Sequence, residues 1–470
     1  MVTILASYNV TPNQPTPKDP LWLSDCDLIG NLGHISAIYI YKAKHNTDTI
    51  ERLRNSLSKI LVYFYPVAGR LNLTKSGRLE VDCNAKGVRL LEAETTKTIG
   101  DYGDFSPSES TEELVPKVDN TQPREEIPLL LLQLTRFHGG DEGLAIGVTF
   151  AHPLIDATGL IHFINSWAKL ARGEALEPNE MPFLDRTILK FQYQQSSSQV
   201  VSSSETELNP HKQDLEKPVA QIPLGVERKK VSASILKLTS SHVERLKKKA
   251  NDQSSKEESR PYTRFEVVAA HIWRCASKAR ESGENHPTLV TFSVNFRNRL
   301  NPPLPQNYFG NALAKVVTPE CYEGDIISNP LGFAAQKIRE AAQTVTDESI
   351  RSQLHASLGQ GKLNHIRAFF TGQAHSINIP FDVNHSIFLT SWMNMPVYES
   401  DFGWEKPLHF GIVSRAQVDR ATILPSPDGD GVVVTIFFQT ALMQLFLKFF
   451  FEDMDNVRGA MKYPVFGISF

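Results

Sequence analysis

Cysteine is scarce in this chain and never closely paired. Cys26, Cys83, Cys275 and Cys321 are far apart, so neither a zinc ribbon nor a C-x-x-C redox site is expected, no metal site is read, and a reducing compartment fits. An excess of one charge is missing too. A formal net charge of -3 creates no strong field, which argues against nucleic acid or an anionic membrane as partner. No apolar run is long enough to cross a bilayer, since "ALMQLFLKFFFEDM" is broken by Gln444 and Lys448. The opening "MVTILASYNVTPNQPTPKDPLW" lacks the basic segment and apolar core of a secretory signal, so a cytoplasmic protein is expected. The patterns G-x-S-x-G, G-x-x-x-x-G-K-[ST], H-E-x-x-H and G-x-G-x-x-G do not occur either. That removes the hydrolase elbow, the P-loop, the zincin helix and the dinucleotide fingerprint.

What is present is an ordinary globular composition, 470 residues with 41% hydrophobic, enough for two or three domains with sizeable cores. "TIERLRNSLSKILVYF" sets Ile50, Leu53, Leu57, Ile60 and Leu61 on one stripe and predicts a helix. "PLLLLQLTRFHGGDEGLAIGVTFAH" predicts two apolar strands around a Gly-Gly turn, and "GLIHFINSWAKLARG" a helix stopped by Gly173. Residues 194–218 are Ser-rich and polar, too poor in apolar surface to fold alone, and read as a linker. Strands and helices recur beyond it, including "TRFEVVAAHIWRCASKAR" as a helix and "TLVTFSVNF", "SIFLTSW" and "GVVVTIFFQ" as strands. The expectation is an α/β protein of two lobes, 1–193 and 219–470, joined by one long crossover. "SPDGDG", with Asp428 and Asp430, lacks most of a calcium loop and reads as a hairpin turn.

The chemistry-bearing candidate is "FAHPLIDATG", where His152 and Asp156 directly follow a strand and precede a helix. Such a corner exposes side chains to a cleft, but the pair alone reads more readily as an ordinary strand end. Two further segments, "NPPLPQNYFGNAL" and "ESDFGWEKP", each place glycine beside aromatics. Taken singly, they read as tight turns packed on a core.

Together the three segments resemble the plant acyl-CoA-dependent acyltransferases of the BAHD family, whose motifs H-x-x-x-D-G, Y-F-G-N and D-F-G-W-G occur in this order. Here they stand as "HPLIDA", "YFGN" and "DFGWE". The resemblance extends over nearly the whole chain. "GRLEVDCNAKGVRLLEAE", "DFSPSESTEELVPKV" and "NPLGFAAQKIREAAQTVTDE" look most like the spermidine hydroxycinnamoyl transferases, with the shikimate and quinate enzymes next.

The resemblance implies two similar chloramphenicol-acetyltransferase-like domains of mixed sheet plus helices, acting as a monomer. No cofactor is implied beyond acyl-CoA as co-substrate, and an amine or alcohol is the acceptor. It implies His152 as general base, Asp156 paired with Arg297 to hold the loop, and Thr390 and Trp392 near the reacting carbonyl. Asp401, Gly403 and Trp404 would support the fold and the CoA channel. For a polyamine, His34, Asp382 and Glu405 are acceptor-binding candidates; for shikimate, the expected clamping arginine is replaced by Ile377, with Arg367 as a substitute. Two departures stand out. Ala157 and Glu405 occupy family glycine positions, and wherever the backbone there has positive φ, a side chain costs on the order of 1 kcal/mol.

Overall fold

The computed structural model describes residues 1–43, 48–139, 142–191, 230–252, 260–355, 359–373, 386–413 and 419–452. The proposed linker 194–218, together with Ile377 and Asp382, lies outside them.

Among the described residues two large sheets organise the fold, beside a small three-stranded one of Leu21–Trp22, Leu79–Asp82 and Arg70–Leu73. The first has six strands, ordered Val2–Val10, Val88–Thr95, Leu130–Phe137, Gly143–Ala151, His34–Lys42 and His409–Val413. All but one of its neighbouring pairs are antiparallel; Val88–Thr95 and Leu130–Phe137 run parallel. The second has seven strands, with Leu313–Val317, Pro287–Asn295, Ser386–Ser391, Arg420–Pro425, Val432–Gln439 and Val231–Leu238 in sequence across it. Strands Arg420–Pro425 and Val432–Gln439 form a hairpin. Its turn is built on Asp428, whose carboxylate accepts from Ser426 Oγ at 2.6 Å and Asp430 N at 3.0 Å.

Helices Thr49–Tyr63 and Ala157–Ala171 lie on one face of the first sheet. Their apolar stripes, Leu53, Leu57 and Ile60 on one and Leu160, Phe163 and Trp167 on the other, meet Tyr39, Tyr41, Ile146, Val148 and Phe150. Trp167 is fully buried, and its indole N–H donates to Ser56 Oγ at 3.0 Å. Burying such a side chain contributes about 3 kcal/mol. The opposite face, with Ile38, Ile40 and Ala145, is covered by Tyr102, Phe105, Leu114 and Val115. The second sheet packs Val290, Phe292, Leu389 and Ile436 against helix Arg264–Arg280, which presents Val268, Ile272 and Trp273.

Strand His409–Val413 comes from the second half of the chain yet completes the first sheet, pairing antiparallel with His34–Lys42. Conversely, Leu189 packs in the second core. The strip between the two sheets is therefore built from both halves. Among the described residues no helix is long and apolar enough to cross a membrane.

Candidate active site

Strand Gly143–Ala151 is buried along its whole length and stops at Ala151, opposite His34. His152 begins the turn that follows. Its N–H donates to Gly33 O at 3.0 Å, and its carbonyl accepts from Asn311 Nδ2 at 2.9 Å. The backbone is thus held from both halves of the chain. The imidazole is half-buried, and its Cε1 would lie 4.0 Å from a methyl group placed on Gly30. Burial pushes its pKa below the ordinary imidazole value; Asp156, a hydrogen bond to its own backbone and Asp27 oppose this without reversing it. The ring is consequently neutral at neutral pH, the form able to accept a proton.

Asp156 is the N-cap of helix Ala157–Ala171 and accepts from Gly159 N at 3.1 Å. The same carboxylate meets Arg297 in two bonds, 2.8 Å and 3.1 Å, and takes a fourth from Ala312 N at 3.1 Å. With both lone pairs of each oxygen engaged and the residue only 1% exposed, it has no capacity left for substrate. Arg297 also donates to Gly310 O at 2.8 Å, locking the Y-F-G-N segment to the turn. Ala157 is the first helical residue and has no positive φ. The expected strain is absent, because the helix begins directly after the aspartate. Gly159 is the tight position: a side chain there would reach within 3.0 Å of Ile155 Cβ.

A second buried ion pair, which the sequence reading did not find, flanks the first. Asp27 and Arg186 are both fully buried and 3.1 Å apart. Asp27 also accepts from Ser24 N and Oγ at 2.7 Å each, and from Asn311 N and Nδ2 at 2.9 Å each. Arg186 donates to Leu154 O at 2.5 Å and Phe309 O at 3.1 Å. Asn311 therefore links Asp27 to the carbonyl of His152. A side chain on Gly310 would meet Tyr308 Oη at 2.9 Å and Arg186 Nε at 3.1 Å, so these buried groups would have to shift. "SDCD", with Ser24 three residues before Asp27, is a capping pattern and was a usable local signal.

The D-F-G-W loop lies elsewhere. Asp401 Oδ1 accepts from Gly403 N at 2.7 Å and Trp404 N at 3.0 Å, and Gly403 has φ +96°. Trp404 stacks on Phe402, and the Arg52 guanidinium covers its ring at 5.4 Å. Arg172, at the C-terminal end of the 15-residue helix Ala157–Ala171, donates to the Asp401 carbonyl. His152 is at the other end of that helix, on the order of 20 Å away at 1.5 Å per residue. Glu405 is exposed on this remote loop, with φ 69°. It is not an acceptor-binding residue at the histidine corner, and its backbone carries the strain that Ala157 escapes.

The remaining candidates divide. His34 adjoins the corner, but Nε2 is bonded to Pro128 O at 2.9 Å, and its pKa is lowered to about 4, chiefly by burial. Thr390 is half-buried on the face of the second sheet turned away from that sheet's own core, beside Thr422. Trp392 is packed in the first core, stacked on Phe410 at 5.6 Å. Arg367, the substitute clamp, is exposed and lies against Gly77 rather than at the corner. A cavity of about 320 Å³ opens two residues beyond Asp156, between Thr158, His162 and Asn165 of the first half and Asn307, Tyr308 and Met395 of the second. Among the described residues, no cluster of three His, Cys, Asp or Glu could hold a metal.

Comparison with known proteins agrees with this geometry. The model of the Transferase family matches residues 1–453. A hydroxycinnamoyl-CoA:piscidic acid hydroxycinnamoyltransferase of Actaea racemosa is 36% identical over 97% of this chain and 100% of that protein. A shikimate O-hydroxycinnamoyltransferase of Nicotiana tabacum is 33% identical over 96% and 99%. Among solved structures, vinorine synthase superposes with a TM-score of 0.68 at 22% identity, covering 95% of this chain and 96% of that one. TRI101 of F. graminearum, complexed with coenzyme A and T-2 mycotoxin, superposes with 0.67 at 16%, covering 91% and 96%. Both have the two-domain mixed α/β fold seen here. With a family model matching almost end to end and the His152 corner held between the two halves, the chain belongs to the Transferase (BAHD) family and is an acyl-CoA-dependent acyltransferase.

Proposed function

We propose that this enzyme transfers a hydroxycinnamoyl group from its CoA thioester to a hydroxyl of a small acceptor, both substrates being bound together. The observation that carries the reading is His152, neutral, half-buried and held at both backbone ends beside the groove between the halves. A neutral imidazole keeps one ring nitrogen unprotonated, and in this reading that nitrogen is Nε2. Nε2 takes the proton of the acceptor hydroxyl as its oxygen attacks the thioester carbonyl. The tetrahedral oxyanion collapses, the C–S bond breaks, and the same imidazolium protonates the departing thiolate. No side-chain nucleophile, metal or further cofactor is needed for this sequence, because holding the two substrates together supplies much of the rate. Thr390 is able to donate to the oxyanion, whereas the stacked Trp392 serves mainly to pack. The cavity beginning at Thr158 suits the extended arm of the CoA thioester.

The segments resembling spermidine transferases support an amine acceptor instead. That reading needs carboxylates for the distal ammonium groups. Among the described residues, Asp27 and Asp156 are committed to arginines and Glu405 is remote; Asp382 lies outside them. On that ground we favour O-acylation, which the shikimate transferase among the relatives performs by name, while two relatives of Avena sativa are N-hydroxycinnamoyltransferases by name. His152→Ala should lose about 10²- to 10⁴-fold in kcat with an unchanged thermal unfolding midpoint. Full activity in that variant would sink the mechanism. Competition among shikimate, quinate and spermidine, read by product mass, separates O- from N-acylation.

A further inference from the structure

Three connections converge on the turn that carries His152, and one carboxylate stands at the origin of them all. Asp27 lies in the short helix Asp25–Ile29, which Ser24 opens. Its Oδ1 accepts from Asn311 N and Asn311 Nδ2 at 2.9 Å each, and the same Nδ2 donates to the carbonyl of His152 at 2.9 Å. Its Oδ2 holds Arg186 in the fully buried ion pair, and Arg186 Nη2 donates to Leu154 O, two residues beyond the histidine. The third connection runs along the helix itself. Gly30 directly follows its end, and the imidazole Cε1 lies 4.0 Å from where a side chain of Gly30 would begin. The carbonyl of the histidine, the carbonyl two residues on and the wall beside the ring are thus tied to one residue remote in sequence.

The Asp156–Arg297 pair has a different task. It fixes the start of helix Ala157–Ala171 and the Y-F-G-N segment, and among the described residues none of its hydrogen bonds reaches His152 or Gly30. Nor is any described side chain hydrogen-bonded to the imidazole, so its place is set by its backbone and by what it packs on. A base acts only from the right place. Misplacing reacting groups by about 1 Å can cost about a hundredfold in rate.

We infer that Asp27 is the positioning residue of the histidine base: through Asn311, Arg186 and the helix that ends before Gly30 it sets where the imidazole stands. The inference rests on the acyl-transfer reading above and adds a residue to it. Asp27 is fully buried and Asn311 only 2% exposed, so both act through His152 and not on a substrate.

Charge gives a second handle. Burial lowers the pKa of His152; Asp156 and Asp27 are the charged groups that oppose it, with Arg297 and Arg186 behind them as their partners. His34, on the strand opposite, is neutral above about 4. Removing the charge of Asp27 takes one support from the imidazolium, and the stranded Arg186 acts in the same direction. The pH at which the base takes up its proton must then fall.

The test uses the full chain, grown with histidine isotopically labelled at Cε1 and observed by NMR. The His152 signal is identified by its loss in His152→Ala. Turnover is read in parallel as thiol release from 4-coumaroyl-CoA with whichever of shikimate, quinate and spermidine the parent consumes. Asn311→Ala cuts the link from Asp27 to the His152 carbonyl and leaves every charge in place. It should shift the His152 signal and lower kcat about tenfold to a hundredfold, with both KM values and the titration midpoint of the ring unmoved. Asp27→Asn should lower kcat at least as far and also bring the midpoint, and the acid limb of kcat, to lower pH; it stands in if Asn311→Ala fails to fold. Arg339→Met breaks the buried Glu266–Arg339 pair of the second half. It should lower the unfolding midpoint with neither effect, which separates positioning from lost stability. An unshifted signal with kcat kept would overturn the inference. So would a raised KM with kcat kept, which would make Asn311 a substrate contact. A parent inactive with every acceptor, whose His152 signal still shifts in Asn311→Ala, would overturn the transfer reading and uphold the tie between Asp27 and the ring.

Discussion

Two aspartates at the corner have opposite standing to the histidine between them. His152 is half-buried and its ring side is open to chemistry, whereas Asp156 and Asp27 have spent their oxygens on arginines and backbone donors. A buried pair broken on one side leaves an uncompensated charge, a loss of about 3–5 kcal/mol. Arg297→Ala should therefore lower the unfolding free energy by about that amount in urea denaturation, while His152→Ala should change it by under about 1 kcal/mol. The double variant Asp156→Ala/Arg297→Ala should lose clearly less than the sum of the singles, because the second removal takes away the stranded partner. Additive losses would mean that the pair does not hold the turn.

Among the elements, two loops occupy family glycine positions with larger residues, and the backbone separates them. Ala157 is helical, so the alanine is harmless there. Glu405 has φ 69° on an exposed turn, where a side chain costs roughly 1 kcal/mol against glycine. Glu405→Gly should raise the unfolding free energy by about 0.5–1 kcal/mol and leave acceptor KM values alone, since the loop is remote from His152. A changed acceptor KM would place Glu405 in the site after all. These two positions also mark what could be read from sequence. The corner pair stood out by its place on a strand-to-helix turn, but its roles came only with the resemblance of three segments to a known family. The strands and helices were visible from periodicity. Which glycine site is strained depends on φ, which a motif does not carry. Asp27 and Arg186 were missed because their bond joins positions far apart in the chain, and the capping pattern at Ser24 pointed only to a helix start.

In the molecule as a whole, the exchanged strand His409–Val413 makes the two halves interdependent, and nothing local announced it. Sequence neighbours usually pair, yet this strand leaves its own half to sit beside His34–Lys42. The exchange also gathers poorly hydrated imidazoles near the seam. His409 stacks on Phe105 at 5.0 Å, and its pKa is lowered to about 4, by burial, with Asp104 opposing. His34, on the partner strand, is lowered to about 4 as well. An imidazole whose folded pKa lies below its unfolded value binds protons preferentially when unfolded. Its stability contribution is complete above about 6.5 and drains as pH falls toward about 4. Each shift corresponds to an order of 3 kcal/mol across that window. The protein should thus lose stability between pH 6.5 and 4.5, before most carboxylates protonate. His409→Phe keeps the ring stack and removes one titrating group, so its unfolding midpoint should fall less than that of the parent over this interval. Parallel curves for variant and parent would show that His409 takes up its proton as readily folded as unfolded, and that the seam holds for other reasons.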